Sequence, residues 1–448
     1  MIVMKFGGSS VANAERIRCM SELVKAELSR KPVLVLSAMG DTTDQLLEAA
    51  EAALKDTVVS MDTVEDLHLK TIEELGLGAP VVEEIRPLLG ELRNLLVGIS
   101  LIKELTGRTK DYLESFGERL SVRIAAAYFN AQGIAARALD SWDAGFLSDA
   151  HFTSAELLSE SWELIPRALT PVINEGILPV ITGFIARDGT GNITTLGRGG
   201  SDLSATVIAA ACGAEEAQVW KDVDGILTAD PRLVRHAFPV VTITYDEAAE
   251  LAYFGAQVLH PRAMQPCSRT GTPVLVKNSY NPGAPGTRIT AVLDKKTGPI
   301  RAITSRKKVT LVDIVSSRML GQYGFLEKVF STFAKYHISV DMVATSEVSV
   351  SLTLDAEYDL RLLKKELAQI AAVEIKTGKA IVTIVGDICR SSNILAQSFG
   401  VCAEMGIPVQ MVSQGASKVN ISFIVNDTQA AEVVQALHRI FFEKQNGE

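Results

Sequence analysis

Three glycines within the four positions of Gly197–Gly200 constrain the chain more than any other feature of its sequence. Glycine offers no side-chain contacts, but it accepts positive φ angles and lets main-chain N–H groups approach a ligand closely. Arg198 lies among these glycines, and its planar, permanently charged guanidinium suits a carboxylate or a phosphate. Ser201 or Asp202 can then cap the apolar helix that follows. The pattern predicts an anion site at a helix start; the alternative is a tight turn with a surface arginine.

The composition limits the classes of protein to which the chain can belong. At 448 residues it is too long for one ordinary domain, so we expect two or three. A net charge of −9 argues against binding to nucleic acid, whose phosphate backbone requires basic patches. Five scattered cysteines without a C-x-x-C pair predict free thiols in a reducing compartment. With neither a membrane-length apolar run nor a signal-peptide pattern, we expect a cytoplasmic protein without a membrane partner.

The first half of the sequence alternates strand and helix patterns. Ile2–Phe6 and Val33–Ala38 are apolar runs typical of buried strands, and a helix that Asn13 can cap separates them. This alternation predicts a parallel sheet with helices on both faces. The helix-breaking stretch Asn281–Gly286 then indicates that the first domain ends near residue 295.

The region after residue 300 contains an internal repeat. Ile338–Val343 recurs 69 positions later as Ile407–Val412, and further matches follow after a two-residue insertion. Each copy has the order strand, helix, strand, strand, helix of a ferredoxin-like unit. The copies differ at Gly324, which corresponds to Asn393, so only the first keeps a glycine where a backbone can approach a ligand.

The N-terminal strand carries the second indication of anion chemistry. Neither G-x-G-x-x-G nor a Walker A sequence is present. Lys5 instead precedes Gly7–Ser9, where glycine amides can surround phosphate oxygens while a lysine neutralises charge on a transferred group. Alone, this pattern fits a surface lysine before a turn equally well, but the Gly197–Gly200 loop and the aspartate-rich segment 221–232 strengthen it. His260, before a proline, is interpreted as structural.

Four stretches together resemble aspartate kinase (aspartokinase), a family of the amino-acid kinase superfamily with paired C-terminal ACT domains: 5–10, 195–202, 222–232 and 254–261. The resemblance implies an α/β fold in which a three-layer α/β/α kinase domain at 1–295 precedes two ferredoxin-like ACT units at 296–379 and 380–448. It also implies that residues 300–305 pair with the second unit. The implied reaction is ATP-dependent phosphorylation of the side-chain carboxylate of L-aspartate to 4-phospho-L-aspartate. Mg²⁺ would be carried by ATP, with no metal held by protein side chains.

The resemblance also assigns roles to individual residues. Lys5 and Asp202 would be catalytic. Residues expected to seat the substrate are Ser37, Thr43, Glu118, Arg198 and Ser201. Residues expected near ATP are Lys5, Gly7, Gly8, Ser9, Lys221, Asp222, Leu227, Arg232 and Gln257. Three of these differ from residues frequent in bacterial members, namely Lys221, Leu227 and Gln257.

Motifs in the C-terminal half resemble the lysine-regulated, single-function branch. They imply a lysine site in the first ACT unit, formed by Met319, Gly324, Asp341, Thr345, Ser346 and Glu347. Gln410 replaces Asp341 in the second copy, so the copies also differ in charge; the alternative is that Asp341 and Glu347 are solvated strand-edge charges. Residues 276–282 are similar to plant forms, which adds S-adenosylmethionine as a second effector to consider. Paired ACT units also imply a homodimer or a larger homo-oligomer.

Two other functions fit parts of the sequence. Acetylglutamate kinase and glutamate kinase also phosphorylate a carboxylate, but the paired ACT region and Glu118 argue against both. A catalytically silent amino-acid sensor could keep the same fold, but the presence of Lys5, Arg198 and Asp202 argues against loss of activity.

Overall fold

The computed structural model describes residues 1–55, 59–254, 259–293, 298–316, 323–355, 358–388, 391–414 and 419–443. The chain divides into two compact units. The first unit comprises 1–226, 241–245 and 258–293, and the second comprises 227–240, 246–257 and 294–448.

The first unit contains both strands and helices, with consecutive helices between the strands at Pro32–Leu36 and Ala136–Leu139, and both types of element continue into the second unit. The strands are β1 Ile2–Phe6, β2 Pro32–Leu36, β3 Ala136–Leu139, β4 Leu147–Ser148, β5 Leu178–Thr182, β6 Ile185–Asp188, β7 Ile193–Thr195, β8 Ala217–Lys221, β9 Thr242–Thr244, β10 Val274–Asn278, β11 Thr287–Thr290, β12 Ile300–Val315, β13 Met342–Thr345, β14 Ser349–Asp355, β15 Ala372–Gly386, β16 Val412–Gln414 and β17 Asn420–Asn426. The helices are α1 Ala14–Glu27, α2 Thr42–Lys55, α3 Asp62–Leu75, α4 Ala79–Ile102, α5 Gly107–Ala131, α6 Ser161–Asn174, α7 Gly200–Ala211, α8 Tyr245–Tyr253, α9 Pro261–Thr270, α10 Phe325–Lys335, α11 Arg361–Leu367, α12 Ser391–Glu404 and α13 Ala430–His438. Of the described helices, none is long and apolar enough to cross a membrane.

An eight-stranded sheet forms the centre of the first unit, with strand order β3-β5-β2-β1-β8-β10-β11-β9. Strands β1, β2, β3, β5, β8 and β10 are parallel, and β11 runs antiparallel to β10. Strand β1 has β2 on one side and β8 on the other, so the connections reverse direction beside it. In open α/β sheets, ligands bind at the carboxyl ends of the strands next to such a reversal. The topology therefore predicts a site just after Phe6.

Apolar side chains on one face of β1 explain why the sheet is covered by helices. Ile2, Met4 and Phe6 are fully buried in a cluster that includes Ile17 of α1 and Phe116 of α5. Near-continuous apolar strands of this kind occur where both faces of a parallel sheet are covered. Asn13 caps α1 as predicted, because its side chain accepts a hydrogen bond from Arg16 N at 3.0 Å.

An antiparallel six-stranded sheet forms the second unit, with strand order β13-β14-β12-β15-β17-β16. Strand β12 is shared by both halves of the sheet. Its residues Val309–Val315 pair with β14, and its residues 300–306 pair with the end of β15. Strand β15 in turn pairs with β17. The predicted division between residues 379 and 380 thus lies inside one strand. Residues 227–240, expected in the first domain, group here because Ala229 and Val234 are buried in the same cluster as Ile300.

The strand registers confirm the internal repeat. Val343 lies opposite Leu352 in the first copy, and Val412 lies opposite Phe423 in the second. Val343 and Val412 are separated by the offset of 69, and Leu352 and Phe423 are separated by that offset plus the two-residue insertion. The order strand, helix, strand, strand, helix is also the same in the two copies.

Helix α10 offers a matched pair of residues for testing the core of the second unit. Phe333 is 1% exposed, whereas Phe330 on the same helix is 38% exposed. We expect Phe333→Ala to lower the free energy of unfolding by about 3–5 kcal/mol, since it removes packing and leaves a cavity. Phe330→Ala should cost much less. Urea unfolding of the full chain, followed by circular dichroism, measures both, and equal losses would contradict this description of the core.

Candidate active site

The ends of three strands meet where the topology predicts a site. Gly7 N, just after β1, donates to the carbonyl of Trp220 in β8 at 3.2 Å. A Cβ atom on Gly8 would lie only 2.8 Å from the carbonyl oxygen of Gly40, in the loop that follows β2. Glycine is therefore required at residue 8 because two backbone segments approach each other there.

A buried carboxylate joins two lysines at this edge of the sheet. Lys5 Nζ lies 2.6 Å from Asp202 Oδ1, and Lys221 Nζ lies 3.1 Å from Asp202 Oδ2. Burial alone would raise the pKa of Asp202, but the charges and hydrogen bonds of the two lysines hold it below its usual value. Burial lowers the pKa of Lys5, and the nearby charge of Lys221 adds to this effect although Asp202 opposes it. Two ammonium groups on one carboxylate leave a net positive centre that favours an anion.

The glycine loop starts α7 differently from the sequence prediction. The residue that caps the helix is Gly199, at φ 75°, and the helix begins at Gly200. The prediction that Ser201 or Asp202 caps α7 is therefore wrong, and both lie in the first turn. The helix starts before the predicted caps because Gly199 adopts the left-handed conformation of the capping position without strain. This leaves Asp202 to bind the lysines instead of the helix backbone.

Glu118 is a buried carboxyl group on α5. Its Oε1 accepts a hydrogen bond from Ala38 N at 3.2 Å, whereas Oε2 is buried without a hydrogen-bond partner among the described residues. Burial raises the pKa of Glu118 to about 8. The preceding Gly117 lets the helix approach the β2 loop, since a Cβ atom there would lie 2.6 Å from Ala38 Cβ. Glu118 can thus receive a cation that enters the site.

The remaining predicted substrate residues lie on the first unit. Ser37 directly follows β2, and Thr43 is in the first turn of α2. Ser201 packs against Gly183, where a Cβ atom would come within 2.7 Å of Ser201 Cβ. Arg198 is exposed in the loop between β7 and α7.

Three residues that support the glycine loop were not predicted. Asp111 of α5 accepts hydrogen bonds from Thr195 N at 3.0 Å and Thr195 Oγ1 at 2.9 Å. Arg262 of α9 donates to the carbonyl of Leu196 at 2.9 Å, and Phe184 holds a positive φ of 69° where it accepts from Leu196 N. The seven-residue spacing of Asp111 and Glu118, which places both on one helix face, was a usable signal for Asp111. No sequence signal marks Phe184.

The residues expected near ATP fall into three groups. Gly7, Gly8, Ser9, Lys221 and Asp222 lie in the first unit, after β1 and at the end of β8. Leu227 and Arg232 belong to the second unit, where Arg232 pairs with Asp230 at 2.7 Å. Gln257 lies outside the described residues. Among the described residues, no group of three or more His, Cys, Asp and Glu side chains could hold a metal ion.

The predicted effector residues lie in the second unit, except that Met319 is outside the described residues. Asp341 is not a solvated strand-edge charge: its side chain is 5% exposed and accepts hydrogen bonds from Tyr253 Oη at 2.6 Å and Arg306 Nη1 at 3.2 Å. Burial raises the pKa of Asp341. Thr345, Ser346 and Glu347 are exposed, and Gly324 caps α10 at φ 79°.

Family models match both halves of the chain. The model described as "Amino acid kinase family" matches residues 1–278, and the model described as "ACT domain" matches residues 312–360 and 382–441. Together they define an amino acid kinase with C-terminal ACT domains, which confirms the predicted fold class.

Named relatives narrow this class. "Aspartokinase 1, chloroplastic" of Arabidopsis thaliana is 49% identical over 98% of this chain and 80% of its own length. "Lysine-sensitive aspartokinase 3" of Escherichia coli (strain K12) is 34% identical over 99% of each chain. The structure of E. coli aspartokinase III in complex with aspartate and ADP (R-state) has a TM-score of 0.82 and 33% identity, and the match covers 99% of this chain and 100% of that chain. The chain belongs to the aspartokinase family, and it is a kinase.

Glu118 makes stability depend on pH in a direction that can be tested. Its pKa in the folded protein, about 8, exceeds the ordinary value of 4.5, so its stabilising contribution is complete below pH 4.5 and is lost as the pH rises through about 8. Glu118→Gln cannot ionise. Relative to the wild type, we expect its free energy of unfolding to increase over this range by a few kcal/mol, since one pKa unit is about 1.4 kcal/mol.

Urea unfolding at several pH values measures this difference. The variant Glu51→Gln, at an exposed position on α2, is the control and should follow the wild-type profile. A constant difference between Glu118→Gln and the wild type at all pH values would contradict the raised pKa.

Proposed function

We propose that the chain transfers the γ-phosphoryl group of ATP to the side-chain carboxylate of L-aspartate, forming 4-phospho-L-aspartate and ADP. The observation that carries the proposal is the buried Lys5–Asp202–Lys221 group at the start of α7. The E. coli relative bound to aspartate and ADP supports the same choice of substrates.

The chemistry requires positioning and charge neutralisation more than a base. A carboxylate is already a nucleophile at neutral pH, so one of its oxygens forms the new bond to the γ-phosphorus while the bond from phosphorus to the ADP oxygen breaks. Lys5 neutralises the negative charge on the transferred group, and Asp202 fixes the position of Lys5. Lys221 is held by the same carboxylate and adds a second positive charge. When bound, Mg²⁺ carried by ATP would add charge neutralisation, and the protein side chains are not assigned to hold it.

The α-groups of aspartate select the substrate. Arg198 would pair with the α-carboxylate through two N–H donors, and Glu118 would accept the α-ammonium through its unpartnered Oε2. With its pKa raised to about 8, Glu118 is mostly protonated at neutral pH in the free protein. An arriving ammonium favours the ionised form. Ser37, Thr43 and Ser201 would complete the substrate site, with Gly7, Gly8 and Ser9 around the phosphates.

One assay separates this function from its rivals. Release of ADP on addition of aspartate, but not of glutamate or acetylglutamate, supports an aspartate kinase. A silent sensor would release ADP with none of the three.

Arg198→Ala tests how aspartate is held. The α-carboxylate would lose a charge-assisted partner worth about 1.5–3 kcal/mol, so we expect KM for aspartate to rise roughly ten- to hundredfold. Arg198→Lys should restore only part of the affinity because an ammonium cannot donate in the paired geometry. Arg269→Ala, at an exposed position on α9, is the control. An unchanged KM for aspartate in Arg198→Ala would remove Arg198 from the site.

We further propose that lysine inhibits the enzyme by binding in the first ACT half, with S-adenosylmethionine as a second effector to test. The structure of E. coli aspartokinase III in complex with lysine and aspartate (T-state) supports the effector class. In this chain, the buried Asp341 offers a carboxylate for the cationic end of lysine, whereas the second copy has Gln410. ACT units commonly join subunits, and we propose a homo-oligomer formed through them.

Asp341→Asn tests the effector site. It keeps an oxygen that can accept the Tyr253 hydrogen bond but removes the charge that a lysine ammonium requires. We expect the lysine concentration for half inhibition to rise at least roughly tenfold, since hydrogen bonds to charged groups contribute about 1.5–3 kcal/mol. Activity without lysine should change little. Activity is measured against lysine concentration, with threonine as the control effector. Equal inhibition of both proteins would reject Asp341 as the lysine contact.

A further inference from the structure

Two neighbouring cavities of the first unit lie outside the candidate active site. The first cavity, of about 600 Å³, is lined by α4, α5 and the β6–β7 hairpin and includes Arg108, Arg119 and Arg187. The second, of about 570 Å³, is lined by residues that include Trp142 and again Arg187. We call the first the arginine cavity.

Aromatic rings fix two of the three guanidinium groups. The Cζ atom of Arg187 lies 4.1 Å from the ring centroid of Trp142, and that of Arg119 lies 5.8 Å from the same centroid. Arg119 also lies 5.2 Å from the ring of Phe116. Attraction between the cations and the ring faces orders these long side chains. Their ordering reduces the entropy that a ligand would otherwise have to overcome.

Three nitrogen atoms of Arg119 and Arg187 have no hydrogen-bond partner within the described part of the chain. Arg119 Nε and Nη1 and Arg187 Nε are buried and have no hydrogen-bond partner there. The carboxylates nearest to Arg119 are Glu91 at 3.9 Å and Asp140 at 3.7 Å, which is too far for a hydrogen bond. Buried polar groups nearly always have a partner, so these N–H groups are available to donate to a bound group. Glu118 Oε2, in the candidate active site, shares this property.

The charge of the lining determines the class of ligand. Three arginines line the arginine cavity, and among the described residues that line it Glu91 is the only acidic one. Asp140 does not offset this excess, because Arg123 binds it through two hydrogen bonds at 3.0 and 3.1 Å. Guanidinium groups match the planar or tetrahedral oxygens of carboxylates and phosphates. We propose that the arginine cavity binds a small dianion that carries phosphate or carboxylate groups.

The arginine cavity and the candidate active site use different faces of α5. Tyr112 and Arg119 line the cavity and are seven residues apart. Asp111 and Glu118 each precede one of them and therefore project about 100° away around the helix. The two sites can therefore be tested separately by substitution.

Isothermal titration calorimetry at constant ionic strength tests the proposal, with inorganic phosphate and succinate as probes. Lys5→Ala removes a lysine from the active site, so binding that persists in this variant does not depend on Lys5, and the arginine variants then show whether it comes from the arginine cavity. On this background, we expect Arg187→Ala and, separately, Arg108→Ala to weaken binding roughly tenfold or more. Arg86→Ala, which removes an equal charge from an exposed position on α4, should leave the affinity unchanged.

Each outcome decides the proposal. Binding of phosphate alone identifies a phosphorylated ligand, and binding of succinate alone identifies a dicarboxylate. Either result supports the site if Arg187→Ala and Arg108→Ala weaken the binding. Arg108 is exposed, so its substitution gives a decisive result even if Arg187→Ala fails to fold. The proposal is overturned if neither probe binds at millimolar concentration, if Lys5→Ala abolishes binding, or if Arg86→Ala weakens it as much as Arg108→Ala.

Discussion

The contact between Asp202 and two lysines is the interaction around which the candidate active site of the first unit is arranged. It requires β1, β8 and the start of α7 to meet, because Lys5 lies on the first strand and Lys221 ends the other. A lone buried charge would be costly, but each of these charges has an opposite partner. The parallel sheet produces this meeting point because the chain reverses its direction of winding beside β1.

The loop that carries Arg198 is fixed from outside by groups that do not touch the charged centre. Asp111 holds Thr195, and Arg262 holds the carbonyl of Leu196, so the segment enters Gly197 with its backbone already positioned. Gly199 must then pass His260 so closely that a Cβ atom would lie 2.7 Å from the histidine Cβ. This explains why α5 and α9 matter to a site formed mainly at the strand ends.

Much of this architecture was predictable because strong local patterns agree with the tertiary structure. The apolar strand Ile2–Phe6, the cap at Asn13 and the repeat in the C-terminal half all follow from periodicity or spacing and are confirmed. The predicted cap of α7 failed because tertiary contacts decide there. Gly199 takes the capping position in place of the expected Ser201 or Asp202, and Asp202 binds two lysines instead of the helix backbone. The grouping of Ala229 with the second unit depends on packing across distant parts of the sequence, which no local pattern records.

Asp341 illustrates how a sequence can single out a carboxylate without indicating what surrounds it in the fold. The repeat singles it out because Gln410 occupies the matching position, yet nothing local indicates that Tyr253 and Arg306 bind it. Tyr253 is the last residue of α8, and Arg306 lies in the strand that both halves of the six-stranded sheet share. A cationic effector at Asp341 would have to compete with Arg306, since a buried carboxyl group that already accepts two hydrogen bonds has few further oxygen positions to offer. If the effector replaced Arg306 at Asp341, the contacts around Tyr253 at the end of α8 would change. The effector would then bind the two arrangements with different affinity, which allosteric coupling requires.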